Sequence, residues 1–312
     1  MDVILDVDPG VDDALAILLA LESPELNVRA LTVVSGNVPL ETGTENALSI
    51  LAFHGSDEVP VYSGADRPVQ GDAIHALEVH GESGLGYSDL PKSGRSAAGA
   101  AVGFLAQSLR QDPGQLMVIA VGPLTNLALA ERSHPGVLGC AKEIIVMGGS
   151  VVEPGNASPC AEFNFLADPQ AAREVIAVAP RLTVVPLDVT HQVGIESSEI
   201  EKVRRASASP VSEFFCNAAD VVVEFGRANG GYEGVHLHDP TAVIYAVDST
   251  LFEIAELCLD VETDGELTRG QLVADLREGV RPEMLMGTHH RVTMGVQSKA
   301  VLDLFRERVL QG

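Results

Sequence analysis

The chain begins with a segment that prescribes a strand, a sharp break and a helix, and crowds four aspartates into that junction. Val3, Leu5 and Val7 alternate with Ile4, Asp6 and Asp8, the two-residue period of a strand that puts Asp6 and Asp8 on one face. Pro9-Gly10 breaks the strand, and Asp12-Asp13 open the apolar run Ala14 to Leu21. Carboxylates in a helix's first turn are favoured by its dipole. Asp8, Asp12 and Asp13 are thereby aimed at one small volume, where like charges repel unless a cation sits among them. One such aspartate would be an ordinary cap. Four in eight positions, after a strand of Val, Ile and Leu, point instead to a hard, oxygen-ligated metal, Ca²⁺ or Mg²⁺.

The same rhythm continues along the chain. Val28–Val34, Leu116–Val121, Glu143–Met147 and Leu182–Leu187 read as further strands. Helical patterns fall at Asp13–Leu21, Glu41–Phe53, Ala98–Leu109, Leu124–Glu131 and Pro169–Val178. Alternation of this kind predicts βαβ crossovers and a mainly parallel sheet flanked by helices, an α/β, Rossmann-like fold. The later part changes character. Ser197–Ala206, Pro210–Arg227, Asp239–Val247 and Ser298–Val309 read as helices, while Leu257–Glu262 and Gly270–Asp275 read as a small antiparallel addition near the C-terminus. No repeat or linker interrupts residues 1–312, so a single domain is expected. The longest irregular stretch, Gly64 to Gly99, has the length of a functional loop.

Acidic residues outnumber basic ones 44 to 20, for a net charge of −24. Such a polyanion is repelled by phosphate backbones and anionic membranes, which argues against nucleic-acid polymers as partners. Cys140, Cys160, Cys216 and Cys258 form no CxxC pair, and fit free thiols in a reduced compartment. No basic, apolar leader precedes the first strand, and no apolar run approaches the ~20 residues of a membrane helix. A cytoplasmic protein is the expectation.

In open parallel sheets, ligands bind beyond the carboxyl ends of the strands. Polar clusters follow five strands here: Asp8 to Asp13, Ser35-Gly36-Asn37, Gly122 to Asn126, Met147-Gly148-Gly149 leading to Asn156 and Glu162-Phe163-Asn164, and Asp188 with His191. A purely structural protein has no reason to place Asp, Asn, Glu and His on one rim repeatedly. The segments Asp6 to Asp13, Val34 to Asn37, His80 to Gly84, Gly122 to Asn126, Met147 to Gly149, Ala161 to Asn164 and His238 to Pro240 together resemble the inosine-uridine preferring nucleoside hydrolases. The seven matches run in order over nearly the whole chain.

That resemblance implies the nucleoside hydrolase fold and a calcium-dependent N-glycosidase of nucleoside salvage, releasing ribose and a free purine or pyrimidine base from ribonucleosides. Asp8, Asp13, Asp239 and the backbone carbonyl of Thr125 would hold Ca²⁺, and Asp8 would act as general base on a metal-bound water. Asp12 would take the 2′-hydroxyl, and Asn37 would help to fix the ribose and the metal ligands. Asn156, Glu162 and Asn164 would bind the 3′ and 5′ side of the sugar, with Met147 packing on the ribose. His238 would assist the leaving base, and His80 would approach the base or the 5′ side. Asp6, Asp188 and His191 would orient the ligands. Arg227, Tyr232 and His236 are expected in surface or loop roles, and Cys160 as an apolar filler. A homodimer or homotetramer is implied too. The absence of Trp removes the indole stacking of the purine-specific branch and leaves the base-nonspecific or pyrimidine-leaning branches.

Two other readings compete. An aspartate-nucleophile phosphatase also begins with Asp-x-Asp after a strand, but it needs a lysine and a second acidic motif at strand ends. Lys92, Lys142, Lys202 and Lys299 stand in no such setting. A non-catalytic, calcium-dependent nucleoside-binding protein would keep the sugar contacts and lose the proton-transfer groups, whereas Asp8 and His238 are both present.

Overall fold

β1 (Asp2–Val7) lies inside a ten-stranded sheet, in a computed structural model that describes residues 1–206 and 209–311. The other strands are β2 (Asn27–Val33), β3 (Val61–Ser63), β4 (Gly99–Ala100), β5 (Met117–Ala120), β6 (Glu143–Met147), β7 (Leu182–Val185), β8 (Gly194–Glu196), β9 (Gly234–His236), β10 (Phe252–Val261), β11 (Leu272–Asp275) and β12 (Thr288–Val296). The order across the sheet is β11-β10-β12-β7-β6-β5-β1-β2-β3-β4, with every pairing from β12 to β4 parallel. β10 runs antiparallel to both β11 and β12. β8 and β9 form a separate antiparallel pair. This is the expected mainly parallel α/β sheet with its antiparallel addition.

Two apolar layers explain why the sheet is buried on both faces. Val3, Leu5 and Val7 pack with the helices Val11–Leu21 and His238–Val247 on one side. Ile4, Val118, Val146 and Val184 pack with Thr125–Ser133 and Pro169–Val178 on the other. The alternation within β1 thus decides which layer each side chain joins. No helix of the described residues is long and apolar enough to cross a membrane.

Differences from expectation have local causes. Leu187 does not end a strand: Pro186 closes β7, and Leu187–Thr190 begins a helix. β12 was not expected, and it joins the antiparallel addition to the parallel strands. The closing helix is α-helical over Ser298–Phe305 and continues as a π-helix over Arg306–Leu310.

Chain order reverses beside β1, because β5 and β2 flank it. Such a reversal opens a crevice at the strands' carboxyl ends. The helices Val11–Leu21 and His238–Val247 pack against each other and carry their acidic first turns, Asp12 with Asp13 and Asp239, to that crevice. Two helix N-termini therefore support anions at one point.

Candidate active site

Asp8 leaves the end of β1 between the loops that follow its two neighbours. A Cβ built on Gly36 would lie 2.0 Å from Asp8 Oδ2, and one built on Gly122 2.6 Å from Oδ1. Only glycine leaves the carboxylate room there. Asp8 is 0 % exposed; its Oδ2 accepts from the Asn37 backbone N–H at 2.6 Å, and its Oδ1 is buried without a partner. Asp13 reaches back over its own turn, accepting from the N–H of Asp8 at 2.9 Å and of Gly10 at 3.0 Å. It also accepts from Asn37 Nδ2 at 3.0 Å. The turn is thus built around its own carboxylates.

Asp12, Asp13 and Asp239 each bring a carboxylate oxygen within 4.8 Å of the other two. No basic side chain among the described residues donates to them, and Asp12 Oδ1 is another buried oxygen without a partner. Burial raises Asp12 and Asp13 to about 6, with the Asp12 charge adding to the effect on Asp13. Asp8 and Asp239 are pushed well above the usual carboxylate range by burial and then by the neighbouring aspartates. A cluster of acids that cannot all ionise together, made of oxygen donors alone, fits a hard divalent cation.

Above the carboxylates is a cavity of about 580 Å³. Asp12, Asn37, His80, Met147, Asn156, Glu162 and Asn164, the residues expected at the substrate, all line it, with His238 and Asp239. Asp8, Asp13 and Thr125 do not reach its wall. The Thr125 hydroxyl instead donates to Asp168 at 2.7 Å.

The polar groups on the sugar side are held by backbone. Glu162 caps the short helix Phe163–Ala167, accepting from Asn164 N–H at 2.8 Å and Phe165 N–H at 3.2 Å, and also from Gly149 N–H at 2.9 Å. Burial still lifts it to about 7. Asn164 gives its amide protons to the carbonyls of Val121 at 2.7 Å and Met147 at 3.2 Å, which leaves its own carbonyl for a hydroxyl. Asn156 accepts from Phe163 N–H at 2.9 Å, leaving its amide protons free. Asp6 lies beneath, bound by Thr32 and by Asn126 Nδ2 at 2.8 Å. Asp188 accepts from the N–H groups of Val151, Val152 and Glu153, which shapes the loop after β6.

The opposite wall is aromatic. His238 Nδ1 pairs with the Thr190 hydroxyl at 2.8 Å. His191 and His236 lie 5.6 and 5.5 Å from the His238 ring, and Tyr232 stacks on His236 at 4.2 Å. Burial, reinforced by the neighbouring imidazoles, keeps His238 well below its usual range and His236 at about 4. Tyr232 and His236 therefore line the cavity, against the expectation of surface or loop roles, and His191 faces it rather than standing behind it. Arg227 alone of that group behaves as expected, pairing with Glu233 at 3.3 Å on the surface. Val222 and Phe225, from the helix Pro210–Asn229, complete the wall. Their spacing marks an amphipathic helix face and carries no further signal.

Comparison with known proteins bears on what this cavity does. The profile of the family described as "Inosine-uridine preferring nucleoside hydrolase" matches residues 3–303. The pyrimidine-specific ribonucleoside hydrolase RihA of Citrobacter koseri is 36 % identical over 313 residues, covering 99 % of this chain and 98 % of that one. Among solved structures, the plant nucleoside hydrolase PpNRh1 superposes with a TM-score of 0.94 at 34 % identity, covering 100 % of this chain and 99 % of that one. The purine-preferring ribonucleoside hydrolase of Gardnerella vaginalis gives 0.91 at 31 % identity, with 100 % and 98 % covered.

Proposed function

The chain belongs to the inosine-uridine preferring nucleoside hydrolase family and is a ribonucleoside N-glycosidase; from that premise we propose a calcium-dependent reaction at the acidic crevice, with either class of base as leaving group. One observation carries the reading. Carboxylates from two distant segments, Asp12 with Asp13 and Asp239, meet within 4.8 Å, and no Lys or Arg among the described residues pairs with them. Asp8, Asp13, Asp239 and the Thr125 carbonyl would hold the ion, all oxygen donors of the kind Ca²⁺ prefers. When bound, the ion supplies charge that acidifies water and anchors vicinal hydroxyls.

The chain's own residues then divide the work. Asp12 accepts from the 2′-hydroxyl, while Asn37, Asn156, Glu162 and Asn164 fix the rest of the ribose. Their negative and carbonyl oxygens stabilise positive charge that develops at C1′ as the C1′–N bond breaks. Water attacks C1′ and gives its proton to Asp8, which must be ionised to accept it, the state that a bound cation favours. The departing base takes up a proton in turn. His238 is neutral at neutral pH, so it assists with a hydrogen bond or proton relay from neutral imidazole and not as a standing imidazolium. The described residues that line the cavity include no Lys or Arg, which suits an uncharged nucleoside. Imidazole and apolar walls suit a flat base of either class, and relatives of both preferences are similar to this chain.

The test is release of reducing sugar from a panel of ribonucleosides, before and after exhaustive chelation, with metal analysis of the purified protein. Ca²⁺ in the protein and loss of turnover on chelation are expected. Full turnover by metal-free protein would overturn the calcium assignment.

A further inference from the structure

We propose that Thr190 is a positioning residue for the departing base: its hydroxyl donates to Nδ1 of His238 and so fixes the imidazole, in orientation and tautomer, with Nε2–H toward the cavity. The proposal deepens the reading above and rests on His238 assisting the leaving group of a ribonucleoside.

Thr190 closes the single helical turn Leu187–Thr190, which follows Pro186, and is 0 % exposed. Its Oγ1 lies 2.8 Å from His238 Nδ1 and has no other partner among the described residues. The carbonyl that such a hydroxyl ordinarily takes, one turn back at Pro186, already accepts from the N–H groups of Val189 and Thr190. If the ring donated through Nδ1–H, a buried hydroxyl proton would be left with no acceptor. With Thr190 as donor that proton is used, and the ring carries its own on Nε2. Nε2 has no protein partner among the described residues, and the ring lines the cavity. The free donor therefore belongs to the cavity's occupant.

That the partner is a hydroxyl decides the chemistry. A carbonyl or carboxylate can only accept, so either one in its place would hold the proton on Nδ1 and turn a lone pair to the cavity, the arrangement of a general base. A base departing from C1′ gains electron density and needs a donor instead. The ring's other neighbours are imidazoles, His191 and His236, with centres 5.6 and 5.5 Å away. A cation held by Asp239, the next residue, would disfavour a second positive charge on the ring. The tautomer of a neutral imidazole thus decides which nitrogen can donate.

Two variants separate the hydroxyl from the bulk of the side chain. Thr190→Val removes the hydroxyl at nearly constant volume, and Thr190→Ser keeps it. Both are assayed with Ca²⁺ on inosine, uridine and nitrophenyl riboside. Thr190→Val should lose about tenfold in kcat/KM on the natural nucleosides, the size of one hydrogen bond, and little on nitrophenyl riboside. Thr190→Ser should stay near wild type on all three. A second readout needs no turnover: long-range ¹H–¹⁵N spectra of histidine-labelled protein, with His238 assigned by its absence from His238→Ala. Wild type and Thr190→Ser should show Nε2 protonated and Nδ1 as a hydrogen-bonded acceptor, and Thr190→Val should lose that Nδ1 signature. A wild-type ring protonated on Nδ1 overturns the proposal, even if no variant folds. So does a Thr190→Val spectrum identical to that of wild type, an equal loss on all three substrates, or a Thr190→Ser as impaired as Thr190→Val. Failure of wild type to release ribose from any nucleoside would sink the reading on which the proposal rests, and is seen separately from the spectra.

Discussion

Asp239 sits at the first turn of its helix, 2 % exposed and facing three other aspartates. Without metal, its charge is a cost to the fold; with metal, it is a ligand. Asp239→Asn should therefore raise the melting temperature of chelated protein, on the order of a few degrees, while abolishing the stabilisation that Ca²⁺ gives the wild type. Calorimetry in EDTA and in Ca²⁺ reads both, and a variant less stable than wild type in EDTA would contradict the repulsion argument. His238 makes a different prediction. If it assists the departing base, His238→Ala should lose about 10²–10⁴-fold on inosine and spare nitrophenyl riboside, whose leaving group needs no help. Equal losses on the two would make it a positioning residue for the sugar. The aspartates were legible in the sequence because charge set beside an apolar run is costly to bury unless something binds it. Tyr232 and His236 were not: aromatic side chains on a Gly-rich stretch look the same whether they face solvent or a cavity. It is the packing of His191, His236 and Tyr232 into a stack that distinguishes them.

At the scale of elements, strand ends govern how closely Asp8 can be approached. Gly122 ends the β5 side of the crevice, and an added methyl there would stand 2.6 Å from Asp8 Oδ1 and 3.0 Å from the Val34 side chain. Gly122→Ala should displace the carboxylate by a fraction of an ångström to an ångström, and misplacement of that size can cost about 10²-fold in rate. Ribose release should fall accordingly, with the circular dichroism spectrum unchanged; a fully active variant would show that Asp8 tolerates the shift. The long strands and helices are legible from sequence because their apolar period extends over several turns or pleats. β3 and β4, of three and two residues, are too short to show any period. β12 reads Thr-His-His-Arg-Val-Thr-Met-Gly-Val, and its polar run hides the strand. His290 and Thr293 are nonetheless buried, paired with the carbonyls of Ile176 and Val184. Tertiary hydrogen bonds, not pattern, make that segment a strand.

For the whole molecule, the buried acids and the buried histidines pull stability in opposite directions with pH. Asp12 and Asp13 at about 6 and Asp6 and Glu162 at about 7, with Asp8 and Asp239 raised further by burial and charge, hold protons in the folded state that the unfolded chain has released. Above the unfolded carboxylate values near 4, each makes stability fall as pH rises, until its folded value is passed. His80 and His236 at about 4, with His238 lowered too, do the reverse: the unfolded chain binds the extra proton, so stability rises with pH up to about 6.5. Between about pH 4.5 and 6.5 the histidines offset part of the loss that the more numerous acids cause. Above about 6.5 only the acids still titrate, and Asp6, Asp8, Glu162 and Asp239 dominate. The chelated protein should accordingly lose melting temperature between about pH 6.5 and 8. Saturating Ca²⁺ should remove or reverse that loss, because a bound cation takes its ligands deprotonated. Thermal scans across this range, with EDTA and with Ca²⁺, decide the matter. A chelated protein that gains stability over the same range would mean that the acidic crevice is neutralised by something other than a metal ion.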